Sequence, residues 1–285
     1  MNKIICGDCV DIMKTLPDGY IDLTVTSPPY GTKVRKYHGF NFDFEATAQQ
    51  LYRVMKPGGV LCWVIGDTTA KGDRTGEPYR QVLRFKEIGF LLHDVIAFVK
   101  TGTTFPSKHR YTNAWEQIFV LSKDTKPKTI HLIADIPRRW LGSFSTTTHR
   151  QADGSLKKSK AANCGLGSKG RAKGTEYGFR TRDNIWTYKN GYGFSQPDPD
   201  LAKQHSAVFP LALACDCIIS WSNPGDIVLD PMSGSATTCK AAKGLGRDYL
   251  GIEVSPDYVK LGKQRVALVG KGEYLNDEEK TGYKI

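Results

Sequence analysis

Apolar residues follow two rhythms along this chain, compact runs and stretches spaced by three and four, and the two alternate. Ile4-Ile5-Cys6 reads as a first strand leading into Gly7-Asp8, and Cys9 to Leu16 carries the spacing of a helix. Pro17-Asp18-Gly19 is a turn signal, and Ile21 to Thr26 is strongly strand-like. A polar, basic stretch over 31–44 reads as a loop. Helical spacing returns from Phe44 to Met55 and ends at Lys56-Pro57-Gly58-Gly59, whose proline and glycines stop a helix. Val60 to Ile65 is almost wholly apolar, as suits a strand buried on both faces. A helix is predicted over about Glu77–Ile88, and strands over Leu91–Lys100 and Ala114–Leu121. After a long interruption the pattern resumes with helix Phe209–Trp221, strand Ile227–Asp230, helix Thr237–Leu245, strand Asp248–Glu253 and helix Pro256–Leu268. Strands alternating with helices predict an α/β fold, a mostly parallel sheet with helices on both faces.

The interruption, 123–195, is rich in Lys, Arg, Ser, Thr and Gly, with isolated aromatics at Trp140, Phe144, Tyr177, Phe179, Trp186 and Tyr188. The chain has a net charge of +11, and between Leu121 and Gly193 the cations outnumber the anions by ten. Charge so concentrated points to a polyanionic partner, and the interleaved aromatics point to a nucleic-acid-reading segment rather than a merely solvated insertion. No apolar run approaches the roughly 20 residues that span a membrane, and the N-terminus does not read as a signal peptide. A cytoplasmic protein is expected, with no membrane partner. Seven cysteines are an odd number. Cys6 and Cys9 have CxxC spacing, but neither that pair nor Cys215 and Cys217 has His partners, so buried thiols are expected and no metal site.

Two short motifs carry the chemistry. Asp230-Pro231-Met232-Ser233-Gly234-Ser235 joins a strand to a helix N-terminus, the arrangement that holds nucleotides at the edge of a parallel sheet. Glu253 ends the next strand at a spacing that suits a carboxylate accepting ribose hydroxyls. Near the other end of the chain stands Thr26-Ser27-Pro28-Pro29-Tyr30. Its two prolines remove two backbone donors, so the loop presents acceptors, the Ser27 hydroxyl and the Pro28 carbonyl. Two acceptors facing an exocyclic amine would free its lone pair to attack a methyl group, and Tyr30 offers a ring on which a base can stack.

These motifs resemble the DNA amino-methyltransferases of the beta class, in which the catalytic motif precedes the cofactor motif. Arg53-Val54-Met55-Lys56-Pro57-Gly58-Gly59, Arg110 to Ile118 and His205-Ser206-Ala207-Val208-Phe209-Pro210 resemble further elements of that family, as does Gly7-Asp8-Cys9. Two positions depart from it: Met232 replaces an aromatic residue and Ala236 a glycine. The resemblance implies a Rossmann-like S-adenosylmethionine-dependent methyltransferase fold, circularly permuted, with a basic target-recognition insertion. Residues 1–122 would form the catalytic half, 123–200 the target-recognition region and 201–285 the cofactor half.

By that resemblance Ser27, Pro28, Pro29 and Tyr30 are catalytic, and S-adenosyl-L-methionine is held by Asp8, Cys9, Thr26, His205, Phe209, Asp230, Pro231, Met232, Ser233, Gly234, Ser235 and Glu253. Double-stranded DNA would meet Lys33, Arg35, Lys36, Arg138, Arg139, Lys157, Lys158, Lys160, Arg171, Arg180 and Arg182. Family members with Ser at the first loop position act mostly on cytosine N4, so N4-methylcytosine is the expected product, with the target base flipped out of the duplex. Adenine N6 is the alternative base. Methylation of RNA or protein glutamine, and a DNA-binding module without chemistry, are more distant readings. A cognate restriction endonuclease and a second copy of the chain are the further partners left open.

Overall fold

In the computed structural model, which describes residues 1–30, 42–102, 108–137, 148–158, 179–189, 196–205 and 208–276, the N-terminal pattern becomes β1 (Lys3–Cys6), α1 (Cys9–Lys14) and β2 (Ile21–Thr26). α2 (Phe44–Val54) and β3 (Met55–Ile65) follow, then a two-residue hairpin of β4 (Thr69–Ala70) and β5 (Asp73–Arg74). α3 (Glu77–Ile88) leads to β6 (Phe90–Thr101) and β7 (Trp115–Lys123). Four short strands come next, β8 (Ile136–Pro137), β9 (Thr148–Arg150), β10 (Leu156–Lys158) and β11 (Phe179–Arg180), and then β12 (Ile185–Lys189). The C-terminal third supplies α4 (Pro199–Ala202), α5 (Leu211–Trp221), β13 (Ile227–Asp230), α6 (Thr237–Gly244), β14 (Asp248–Glu253) and α7 (Pro256–Ala267).

Eight strands form one sheet in the order β1-β14-β13-β2-β3-β7-β6-β12. Every neighbouring pair is parallel except those made by β7, which runs antiparallel to both β3 and β6. The connection from β6 to β7 contains no described helix, whereas a parallel return needs a crossover of a dozen or more residues. β3 shows both helical layers by alternation. Val60, Cys62 and Val64 belong to a core shared with residues of α5, α6 and α7, while Leu61, Trp63 and Ile65 face α1, α2 and α3. A strand covered on both sides has to be apolar throughout, which is how Val60 to Ile65 reads.

Three elements differ from the sequence-based expectation. β3 starts at Met55, because Lys56-Pro57-Gly58-Gly59 is taken into the strand as an irregularity, with Gly58 at φ +75° and the register with β2 shifting between Ile21 and Leu23. α5 starts at Leu211 rather than Phe209, since Pro210 disfavours the helical conformation in the residue before it. β12 pairs parallel with β6 at the sheet edge. Its Trp186 is therefore buried in the core and its Tyr188 hydroxyl donates to Asp216, so these two aromatics serve the sheet rather than a nucleic-acid-reading segment.

The chain divides into two compact units, Met1–Ile133 with Asp183–Ile285, and Ala134–Arg182. The smaller unit contains the antiparallel pairs β8–β11 and β9–β10. Arg182 clamps Asp135 there, with Nη2 2.5 Å from one carboxylate oxygen. No described helix is long and apolar enough to cross a membrane.

Candidate active site

β13 pairs with β2, Val228 opposite Leu23 and Leu229 opposite Thr24, although the two strands come from opposite ends of the chain. From β13 the chain passes through α6 to β14 on one side, and from β2 through α2 to β3 on the other. Between β13 and β2 the sheet therefore has its switch point, the place where open α/β sheets form their ligand crevice beyond the C-terminal strand ends. The two motifs meet there. Thr26 Oγ1 donates to Asp230 Oδ1 across 2.8 Å and 204 positions of sequence.

Asp230 is 2% exposed and also accepts from the Met232 N–H at 3.2 Å. Burial raises its carboxyl to about 6, partly offset by hydrogen bonds from Thr26, Thr238 and Met232 and reinforced by the charge of Glu253. Glu253 is 4% exposed, and its two oxygens accept from different backbone amides, Gly234 N–H and Ser255 N–H, each at 2.9 Å. Gly234 has φ +49°, and a Cβ on it would lie 2.7 Å from His205 Nε2, so only glycine fits beneath that ring. His205 in turn packs against Tyr258 at 4.3 Å between ring centroids. Ala236 keeps a left-handed backbone (φ +63°) where the family has glycine, and Gly262 faces it, where a Cβ would come within 2.9 Å of the Ala236 methyl.

The other candidate cofactor residues have their own contacts. Asp8 caps α1 by accepting from Val10 and Asp11 N–H, beside the end of β14, where Gly7 N–H donates to the Glu253 carbonyl. Cys9 lies 3.7 Å from Thr47 Oγ1, and burial pushes its thiol up to about 11, which leaves it a neutral group. Phe209 packs against the core and its carbonyl accepts from Gln196. Ser233 Oγ is buried with no hydrogen-bond partner among the described residues. An unpaired buried hydroxyl, a glycine cradle and two carboxylates form a donor and acceptor set that fits a nucleoside ligand with hydroxyl and cationic groups. Ser235 is spoken for: its carbonyl and hydroxyl accept from Arg265 Nη1 at 2.7 and 2.8 Å.

On the catalytic side Pro28 is buried, while Ser27, Pro29 and Tyr30 are half-buried. Ser27 Oγ lies 3.1 Å from the Tyr30 hydroxyl, which donates to Glu116 Oε2 at 3.0 Å. Glu116 Oε1 is paired with the Lys100 ammonium. Burial and the nearby Glu116 charge hold the Tyr30 phenol well above its ordinary value.

Sequence reasoning missed Glu116 and Lys100, and also the buried group of Asp198, Lys240 and Arg265. Arg265 bonds Asp198, Gln196 and the Ser235 turn at once, and Lys240 reaches Asp198 at 2.9 Å. One signal was present: Glu116 and Gln117 are polar residues inside an otherwise apolar strand pattern.

Of the candidate DNA contacts, Lys33, Arg35, Lys36, Arg138, Arg139, Lys160 and Arg171 lie outside the described residues. Lys157 and Lys158 lie on β10, and Arg180 is exposed on β11. Arg182 holds Asp135. Among the described residues no cluster of His, Cys, Asp and Glu could hold a metal.

Comparison with known proteins agrees with this geometry. A family model described as DNA methylase matches residues 21–264. The orphan methyltransferase M.BamHII of Bacillus amyloliquefaciens is 46% identical over 255 residues, covering 89% of this chain and 91% of that protein. The Type II methyltransferase M.BglII of Bacillus subtilis is 25% identical over 272 residues, covering 93% of this chain and 68% of that protein. Among solved structures, PvuII DNA methyltransferase (cytosine-N4-specific) superposes with a TM-score of 0.64 at 20% identity, over 92% of this chain and 85% of its own. A DNA modification methylase of Thermus thermophilus, solved with S-adenosyl-L-methionine, gives a TM-score of 0.58 at 23% identity, over 94% of each chain. Those two likenesses establish the Rossmann-like fold. With the family match over most of its length and the relative at 46% identity, the chain belongs to the N6/N4 DNA methylases, a family of S-adenosylmethionine-dependent methyltransferases.

Proposed function

We propose that this protein methylates the exocyclic N4 of cytosine in double-stranded DNA. The observation that carries this reading is Ser27, a neutral hydroxyl at the first position of the catalytic loop, one residue from the Thr26–Asp230 bond that joins the two motifs. Asp230, Glu253 and the Gly234 turn would hold the cofactor, with Asp8 and the unpaired Ser233 hydroxyl beside them. Bound there, S-adenosyl-L-methionine supplies the electrophilic methyl group. Ser27 Oγ and the Pro28 carbonyl would accept the two N–H bonds of the target amine, directing its lone pair towards the cofactor side of the crevice. The protein's contribution is positioning, which can supply much of the barrier reduction when the reacting atoms are held in line. A base inside the duplex cannot reach Ser27, so the base has to leave the stack. The Cys9 thiol, raised by burial, is not an activated nucleophile for attack on a ring carbon.

The test is nucleoside analysis by mass spectrometry of DNA from a methylation-deficient host expressing the protein. N4-methylcytosine is the expected product. N6-methyladenine alone would replace the cytosine assignment, and C5-methylcytosine would overturn the mechanism.

A further inference from the structure

We infer that Glu116, acting through Tyr30, fixes the Ser27 hydroxyl as a hydrogen-bond acceptor and so restricts the site to bases that present an amine. The inference rests on the amino-methyltransferase reading above and concerns the direction of one hydrogen-bond chain.

A hydroxyl both donates and accepts, so Ser27 alone does not determine which group it offers a substrate. The three bonds Ser27–Tyr30, Tyr30–Glu116 and Glu116–Lys100 remove that freedom. A carboxylate only accepts, and the Lys100 ammonium, which only donates, occupies the Glu116 Oε1. The Tyr30 proton therefore points to Glu116 Oε2. Tyr30 has no second proton, so the 3.1 Å contact with Ser27 is made by the Ser27 proton. Both lone pairs of Ser27 Oγ are left for the substrate. An amine presents donors to them, whereas a base carbonyl in the same place presents lone pairs to lone pairs. The structure packs tightly around this arrangement. Glu116 is 8% exposed, and a Cβ on Gly66 would lie 3.0 Å from its Oε1.

The chain makes an unusual prediction for Glu116→Gln. An amide has one accepting and one donating end, and Lys100 draws the oxygen. The amide nitrogen then faces Tyr30 and donates to it. Tyr30 turns its proton to Ser27, and Ser27 turns its own proton towards the substrate amine. The whole chain reverses. Tyr30→Phe, in contrast, removes the middle link and leaves Ser27 free to rotate. Removing Tyr30 should therefore repair part of the damage done by Glu116→Gln.

The experiment is single-turnover transfer of tritiated methyl groups to plasmid DNA from a methylation-deficient host, with DNA and cofactor affinities measured separately. Glu116→Gln should be slowed roughly a hundredfold, the scale of one misdirected transition-state hydrogen bond, with both affinities unchanged. Tyr30→Phe should be slowed about tenfold, one neutral hydrogen bond's worth. The double variant should return to the Tyr30→Phe rate, faster than Glu116→Gln alone. A wild-type rate in Glu116→Gln, or a double variant slower than either single one, overturns the inference. Should Glu116→Gln lose cofactor binding through misfolding, a wild-type rate in Tyr30→Phe overturns it as well. Wild-type protein that leaves DNA amines unmethylated would overturn the proposed function, whereas active wild type with an unaffected Glu116→Gln variant overturns this inference alone.

Discussion

The two halves of the crevice are built by different means. On the proposed cofactor side the groups are tied to backbone: Glu253 spans two amides, Asp230 takes a third, and the Ser235 carbonyl is held by Arg265. Around Ser27 a chain of side-chain contacts runs through Tyr30 and Glu116 to Lys100, with the Gly66 backbone also bonding Tyr30. Backbone anchoring fixes where a group is. A side-chain chain also fixes which way its protons point. The first half is suited to holding a ligand in place, the second to choosing among substrates by their hydrogen-bonding sense.

Four perturbations separate the halves. Arg265→Met leaves Lys240 as the one remaining cation on the Asp198 carboxylate, which hydrogen bonds from both hold below its ordinary value against the opposing effect of burial. Breaking such a buried group should lower stability by about 3–5 kcal/mol, read as a shifted midpoint in urea unfolding. Ser27→Ala should cost about 2.7–4 kcal/mol in the methyl-transfer step, by analogy with losing one preorganised hydrogen bond, yet leave cofactor affinity untouched in calorimetry. Glu253→Gln should do the opposite. An amide accepts at one end only, so one of the Gly234 and Ser255 N–H groups faces a donor, and cofactor affinity should fall by about 1.5–3 kcal/mol. Equal effects of Ser27→Ala and Glu253→Gln on affinity would show that the halves are not independent.

The smallest effect concerns pH. Because the folded Asp230 carboxyl titrates near 6, above the ordinary carboxylate value, it favours the fold most at low pH. That contribution fades as pH rises through about 6 and the buried group takes on its charge. Cofactor binding that uses the ionised form has the reverse trend, and its affinity should weaken about tenfold between pH 7 and pH 5. Calorimetric titrations across this range that show no change would mean Asp230 binds the cofactor in either protonation state.

Sequence patterning anticipated the geometry around Asp230 and Glu253 more closely than that around Ser27. Asp230, Gly234 and Glu253 lie within one strand–helix–strand unit, where spacing alone places a turn and a carboxylate at the same sheet edge. Glu116 meets Lys100 because β6 and β7 run antiparallel, and it meets Tyr30 although β3 lies between β2 and β7. No local pattern encodes that encounter. The Asp198–Lys240–Arg265 group was hidden for the same reason, since its members come from three separate segments. β12 escaped notice because its five residues sit at the end of a stretch of weak periodicity. Its Trp186 was visible in the sequence, but not the strand that buries it.

The bond between Thr26 and Asp230 bears on how the protein is made. Its partners are 204 residues apart, and β2 emerges from the ribosome long before β13 exists. Until then β2 lacks its neighbour on that side and presents an open row of backbone donors and acceptors, a surface that invites wrong pairing. Closing so long a loop is entropically slow, and the pairing at the centre of the sheet is among the least local in the molecule. A nascent chain halted before residue 227 has its Ser-Pro-Pro-Tyr loop but not the strand that carries Asp230. On the proposed reading a product terminated there lacks both cofactor carboxylates, Asp230 and Glu253, and would be inert towards DNA amines.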